Sequence, residues 1–381
     1  MAYFDNAATT YPKPEQVYTF MDSFYRANGG NAGRGSYELA INSKSIIDDT
    51  RKRIQDLLHC PAKQVVFTPT ATIALNMIIQ GVIATGKRNI YISPFEHNAV
   101  TRVLHHYEKS GQIRVTELAV DSSLDYNFDK IQYQFDDVAP DFVIVSHASN
   151  VIGLISPVET VCSLAKKYKA TTLVDMAQTA GLVDLDVGLE TIDFAVFAGH
   201  KTLLGPTGIA GFVMKTTIKL EPVLFGGTGY DSSNPDMPES IPEKFEMGTL
   251  NIVGVAGLNA ALQWIEKAGV SELYEKELQN RAKLLSLLDK YDYIKIIGNV
   301  ENHRYVGIVS CLFDGISSES LGPILSEYGI SARTGLHCAP NAHRFLGTFP
   351  SGTVRFSISV MTKEEDFVAL EEALNSIQSE M

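Results

Sequence analysis

Residues 193 to 214 read DFAVFAGHKTLLGPTGIAGFVM, and the reading of this stretch decides the fold. It is an apolar strand ending in Gly199, then His200 and Lys201, then a Gly-Pro-Thr-Gly turn, then a second apolar strand. A lysine delivered from a strand end into a cleft loses solvation, which lowers its pKa and makes the amine nucleophilic enough to form a Schiff base. The competing reading is a solvated turn lysine, and the flanking apolar strands and glycines weigh against it.

Outward from this stretch, short β-branched runs alternate with helical segments from about residue 65. VVFT, NIYIS, IRVTEL, DFVIVSH and TTLVD read as strands; TATIALNMIIQGVIA, NAVTRVLHHYEKSG and PVETVCSLAKKYK read as the helices between them. Such alternation indicates an α/β fold with a mostly parallel sheet covered on both faces, where ligands collect at the carboxyl ends of the strands. Residues 221 to 247 are rich in Gly, Pro and Ser and form a long loop of the kind that tends to be functional. Two helices follow, about 251 to 268 and 271 to 290, broken at Gly269. The strands YIKIIG and YVGIVSCLF, a helix near 317 to 328, the strand TVRFSIS and a last amphipathic helix complete the chain. This mixture without strict alternation suggests a second, smaller α+β domain. The expected division is a large domain over 15–262 and a small one over 263–381 joined by residues 1–14.

Composition removes several function classes. With 381 residues, 45% hydrophobic and 20% charged, the chain is an ordinary globular one, too long for a single small core. A net charge of -12, with no basic block longer than RKR at 51 to 53, repels phosphate backbones and acidic lipid, so neither nucleic acid nor membrane is an expected partner. No long apolar run and no basic leader occur, and the expected setting is cytoplasmic. Four cysteines without any C-x-x-C make neither a disulfide framework nor a common zinc spacing. Cys162 falls on a helix stripe, Cys311 in a strand, and Cys60 after a helix beside His59. Cys338, in the loop RTGLHCAP at 333 to 340, has the only setting that suggests chemistry.

Two more strand ends support a cofactor. Asp175 directly follows the buried run TTLV, and a carboxylate there can pair with the protonated ring nitrogen of pyridoxal phosphate; alone, such an Asp is more often a turn residue. In FTPTATIALN, residues 67 to 76, a strand runs into a helix whose first turn carries Thr70 and Thr72. That arrangement suits a phosphate, or a simple N-cap.

With these residues in view, the sequence resembles the class V group of fold-type I pyridoxal phosphate enzymes, and within it the cysteine desulfurases and selenocysteine lyases. The resemblance runs through YFDNAATTYPKP, EHNAV, SHASNVIG, VDMAQTAG, GHKTLLGPTG and EMGTLN to RTGLHCAP and VRFSIS. It implies that Lys201 holds pyridoxal 5'-phosphate covalently, Asp175 faces the ring nitrogen, His97 stacks on the ring and Gln178 contacts its phenolic oxygen. It implies further that Ala71, Thr72 and His200 hold the phosphate and that Asn150 lies beside cofactor and substrate. Thr249 would reach the phosphate of a neighbouring subunit, which implies a homodimer. Arg355 would clamp the substrate carboxylate, with Arg333 and Arg34 also on the substrate side. The chain departs from the group's pattern at Ala198, where a serine is common, and at Thr70, where a glycine is common; both bear on phosphate binding.

The same resemblance gives Cys338 a task. The thiolate would attack the sulfur of bound L-cysteine, leaving a persulfide on the enzyme and alanine as product, with a sulfur-acceptor protein downstream. L-Selenocysteine is the alternative substrate, and transamination or another lyase reaction on a small amino acid is the rival chemistry. His337 and His343 near Cys338 lack a fourth ligand, so no metal is expected. His147, His105 and His106 read as structural. A phosphate-loop nucleotide binder would need G-x-x-x-x-G-K-[ST], but His200 precedes Lys201. A non-catalytic scaffold would carry no chromophore.

Overall fold

A computed structural model describes residues 1–31, 35–230 and 233–380. The chain opens with β1 (Ala2–Tyr3). Then come β2 (Gln64–Thr68), β3 (Asn89–Ile92), β4 (Arg114–Glu117), β5 (Phe142–Ser146), β6 (Thr171–Asp175), β7 (Phe194–Ala198) and β8 (Ala210–Met214). β2 to β8 form one seven-stranded sheet in the order β2-β8-β7-β6-β5-β3-β4. Only β8 runs antiparallel to its neighbours, because the turn after Lys201 is too short for a crossover helix. β5 to β8 are buried along their whole length, as their uninterrupted apolar runs require when helices cover both faces.

The register sets the position of the site. Ser146 on β5 lies opposite Asp175 on β6, and Asp175 opposite Val196 on β7, so these strands finish at one edge. Polar groups emerging there meet the start of the helix Ala71–Ala84, which follows β2.

The remaining strands are β9 (Ile294–Ile297), β10 (Ile308–Phe313), β11 (Ile330–Ser331), β12 (Arg333–Gly335) and β13 (Thr353–Ser357). Four of these make an antiparallel sheet in the order β12-β13-β10-β9, while β11 pairs in parallel with β1. Val354 and Phe356 of β13 enter an apolar cluster with Val309, Cys311, Leu370 and Phe4, which puts the alternate residue Arg355 on the opposite face. The amino-terminal strand is sewn to this sheet: Asn6 Nδ2 donates to the Ser357 carbonyl at 2.8 Å, and the Ser357 amide donates to the Phe4 carbonyl at 2.7 Å.

Three helices were not anticipated: Glu15–Asn28, which buries only Val17, and two others. Phe128–Asp137 lies between β4 and β5 and buries only Ile131 and Phe135; its signal was diluted by aromatic and Asp residues of poor helix propensity. Pro340–Phe345, directly after Cys338, has six residues, too few to display a period. The break at Gly269 is present: its φ of +86° separates Ile252–Ala268 from Val270–Leu288.

Candidate active site

Lys201 follows β7 in a short turn and faces a cavity of about 290 Å3. Burial pulls its ammonium down to about 8, against the opposing pull of Asp175. Asp175 itself is buried, and burial raises its carboxyl above the usual range; its Oδ1 accepts from the Ala177 amide at 2.9 Å. Gln178, also on the wall, is fixed by donating Nε2 to the Ala7 carbonyl at 3.0 Å.

His97 caps the helix Asn98–Lys109, its Nδ1 accepting from the Ala99 amide at 3.0 Å. That bond needs an unprotonated Nδ1. Burial, with Lys201 and three arginines nearby, agrees by lowering the ring to about 4. His200 is likewise lowered to about 4 by burial and by Lys201 and Lys13. Ala71 and Thr72, the first residues of the helix Ala71–Ala84, complete the wall on that side. The Thr70 hydroxyl caps this helix, accepting from the Ile73 amide at 3.2 Å, and Ala198 at the end of β7 brings no hydroxyl.

The opposite wall belongs to the second sheet. Arg333 on β12 and Arg355 on β13 are directly paired in the ladder and both line the cavity. Like charges opposite one another are unfavourable, and one anion stands against them: Arg355 Nη2 donates to Asp5 Oδ1 at 2.7 Å. Arg355 Nη1 donates to the Asn150 carbonyl at 2.9 Å. The strands can close this tightly because Gly352 faces Gly335, where a Cβ would sit 2.2 Å from backbone atoms.

Cys338 stands where this wall ends. Its Sγ is 3.5 Å from Arg333 Nη2, and it is partly exposed, whereas Cys60, Cys162 and Cys311 are buried. His337 and Cys338 both adopt left-handed backbone angles, φ +47° and +58°. Residues other than glycine hold such angles at a cost. Here Asn150 Nδ2 donates to the His337 carbonyl at 2.6 Å, and the Asn98 amide to the Cys338 carbonyl at 2.7 Å, so both sides of the cavity pin the turn.

Ten of the expected residues therefore meet in one cavity, with Cys338 beside it. Thr249 does not line it and is exposed, ahead of the helix Ile252–Ala268. Arg34 lies outside the described residues. Sequence reading missed three contributors. Asp5 and Lys13 lie within the quoted amino-terminal motif, and Lys13 donates Nζ to the His200 carbonyl at 2.6 Å. Glu96, beside His97 and fully buried, accepts from the Ser146 amide at 2.6 Å and the Ser146 hydroxyl at 2.8 Å. An acid directly before His97 inside EHNAV was the available signal for it.

The cavity suits an aromatic cofactor carrying an anion. Asn150 Oδ1, His200 Nδ1 and Arg355 Nε belong to its wall, are buried, and have no hydrogen-bond partner among the described residues; such groups are normally satisfied. The helix N-terminus and His200 offer donors on one side, Asp175 an acceptor at depth, and Lys201 an amine between them.

Comparison with known proteins agrees with this reading. The family model described as aminotransferase class-V matches residues 2–370. A probable cysteine desulfurase of Methanothermobacter thermautotrophicus is 30% identical, covering 98% of this chain and 94% of its own. The solved structure of a cysteine desulfurase from Thermococcus onnurineus superposes with a TM-score of 0.89 at 27% identity, over 100% of this chain and 95% of that one. The S-sulfonic acid form of the Escherichia coli cysteine desulfurase CsdA gives 0.84 at 26% identity, over 100% and 95%.

Proposed function

The chain belongs to the aminotransferase class-V family, with a fold-type I architecture, and we propose that it is a cysteine desulfurase that releases alanine and keeps the sulfur on Cys338. The observation that carries the reading is the position of Cys338: a partly exposed thiol, 3.5 Å from Arg333 and directly after His337, two residues that line the cavity that holds Lys201 and Asp175.

Pyridoxal 5'-phosphate, when bound, supplies the electron sink that weakens bonds to the substrate's carbon atoms. In this reading Lys201 holds it, Asp175 faces its ring nitrogen, and His97 covers the ring. Gln178 meets its phenolic oxygen, while Ala71, Thr72 and His200 receive its phosphate. Arg355, with Arg333 and Asn150 beside it, orients the carboxylate of L-cysteine through charge-assisted hydrogen bonds. The Cys338 thiolate attacks the substrate sulfur, an S–S bond forms as the carbon–sulfur bond breaks, and Lys201 returns a proton to the carbon fragment. No described residue of this site separates sulfur from selenium, so L-selenocysteine is the second substrate to assay.

The proposal includes a homodimer. Exposed Leu224 and Phe225, with Thr249 at the end of the same irregular segment, support a second copy bringing Thr249 to the phosphate side. It also includes two domains, 15–262 and 263–381 with residues 1–14, supported by the β1–β11 pairing; the helix Ile252–Ala268 bridges the division. A cytoplasmic setting is supported by four free thiols, and no helix among the described residues is long and apolar enough to cross a membrane.

The deciding experiment is product analysis: L-cysteine with holoenzyme and a reductant should yield alanine and sulfide in equal amounts. Pyruvate or an amino-group transfer product in place of alanine would replace the desulfurase with a lyase or aminotransferase. Sedimentation should give a dimer, and full activity in a monomer would remove Thr249 from the site.

A further inference from the structure

Beyond the cofactor cavity, a second cleft of about 620 Å3 opens to solvent between the helix Asn98–Lys109 and the helix Pro340–Phe345, with Cys338 on its wall. Its charge is opposite to that of the chain. Arg102, Arg333 and Arg344 line it, and none of the three forms an ion pair with any described residue, although the sequence holds 44 acidic side chains against 32 basic ones.

Among the described residues two acidic groups stand at this cleft, Glu108 on its wall and Glu117 beside Asn341 and Arg344, and each accepts a hydrogen bond from an amide. Glu108 Oε1 accepts from the Val115 amide at 3.0 Å, and Glu117 Oε1 accepts from Asn341 Nδ2 at 3.0 Å. Arg344 is held over the Phe349 ring, 4.3 Å from its centroid, with Nη1 donating to Asn341 Oδ1 at 3.0 Å. Arg344 feels the Glu117 carboxylate but makes no ion pair with it, so the fixed guanidinium keeps donors for an external anion.

We propose that this cleft receives the sulfur acceptor and that the acceptor is a small thiol carrying carboxylates, drawn to Arg102 and Arg344 while its sulfur reaches Cys338. The inference rests on the desulfurase reading and names the partner of that site. In the step, the acceptor thiolate attacks the outer sulfur of the Cys338 persulfide. A new S–S bond forms on the acceptor, the enzyme's S–S bond breaks, and the electron pair returns to Cys338 as thiolate. Arg333, 3.5 Å from Sγ, stabilises that thiolate as it leaves. In a chain of net charge -12, a local cationic cleft would admit anionic thiols at short range.

The test discharges persulfide-loaded holoenzyme with mercaptosuccinate, mercaptoethanol or cysteamine at equal thiolate concentration, and follows the remaining sulfur on the Cys338 peptide by mass spectrometry. Loading is done twice, with L-cysteine and with inorganic polysulfide, which meets only one cysteine that is not buried. The expected result is discharge about tenfold faster by mercaptosuccinate than by mercaptoethanol, and slowest by cysteamine. The advantage should shrink with added salt and in the Arg102→Gln, Arg344→Gln double variant, which should still release alanine normally in its first turnover. Discharge independent of thiol charge, or an advantage that survives the double variant, overturns the acceptor assignment. Loading by polysulfide but not by L-cysteine would instead overturn the desulfurase reading, while the polysulfide-loaded protein still tests the cleft.

Discussion

Arg333 and Arg355 face each other across β12 and β13, yet among the described residues only Arg355 has a carboxylate partner, Asp5 at 2.7 Å. The pair is a stored repulsion that a bound carboxylate relieves. Replacing Arg333 with Gln should therefore leave the cofactor-free fold unchanged or more stable by up to about 1 kcal/mol, while raising KM for L-cysteine. Asp5→Ala should do the reverse to stability, costing about 3 kcal/mol, because it leaves a buried guanidinium without its anion. Chemical denaturation of the two variants, compared with their KM values, checks both signs.

A second expectation concerns Lys201. The unfolded chain keeps this proton up to 10.5, whereas the folded chain releases it at about 8. Between those values the unfolded state binds more protons, so stability rises with pH, and below 8 the folded state carries the full penalty. Removing the amine removes the penalty. Cofactor-free Lys201→Met should be more stable than wild type at pH 7 by on the order of 2 kcal/mol, allowing for partial exposure of the site. The gap should narrow as pH rises from 8 toward 10, and a gap constant with pH in thermal unfolding would show that desolvation is not its cause.

Glu96 gives a third. Burial pushes its carboxyl up to about 7, and it ties the loop before His97 to Ser146 on β5. Glutamine offers the same oxygen to the Ser146 amide and turns a donor toward its hydroxyl. Glu96→Gln should thus cost less than about 1 kcal/mol, while Glu96→Ala should cost about 3, leaving the Ser146 amide buried without a partner. Equal losses in the two variants would mean that the side chain only fills space.

These residues also show what was legible in sequence. The central strands β5 to β8 announced themselves, because strands buried on both faces must be continuous apolar runs, whereas the exposed edge strand β4 was legible only through its β-branched residues. Lys201 and Asp175 could be seen because each terminates such a run. Asp5 could not be singled out as the partner of Arg355, since 350 residues separate them and only the β1–β11 and β13 pairings join them. The cationic cleft was equally invisible. Arg102, Arg333 and Arg344 are scattered in a chain of acidic composition, and no local spacing relates a helix face to the loop that carries Cys338.

Cys338 supports the last expectation. Lys201 and Asp175 serve every step in which electrons are withdrawn from the substrate, whereas the thiol acts only when sulfur leaves carbon. Its removal should separate binding from transfer. In Cys338→Ala, cofactor content and the spectral change on adding L-cysteine should match wild type, because carboxylate capture by Arg355 does not use the thiol. Alanine is the suitable replacement, since at φ +58° it bears the same backbone cost as cysteine, whereas glycine would relax the turn that His337 and Asn150 hold. Alanine release should nevertheless fall by about 10²- to 10⁴-fold, the loss of a nucleophile that no neighbouring group replaces. Wild-type enzyme trapped after L-cysteine addition should carry one extra sulfur on the peptide containing Cys338. Release of alanine by the variant at the wild-type rate would remove the thiol from the reaction and leave an elimination or aminotransfer route in its place.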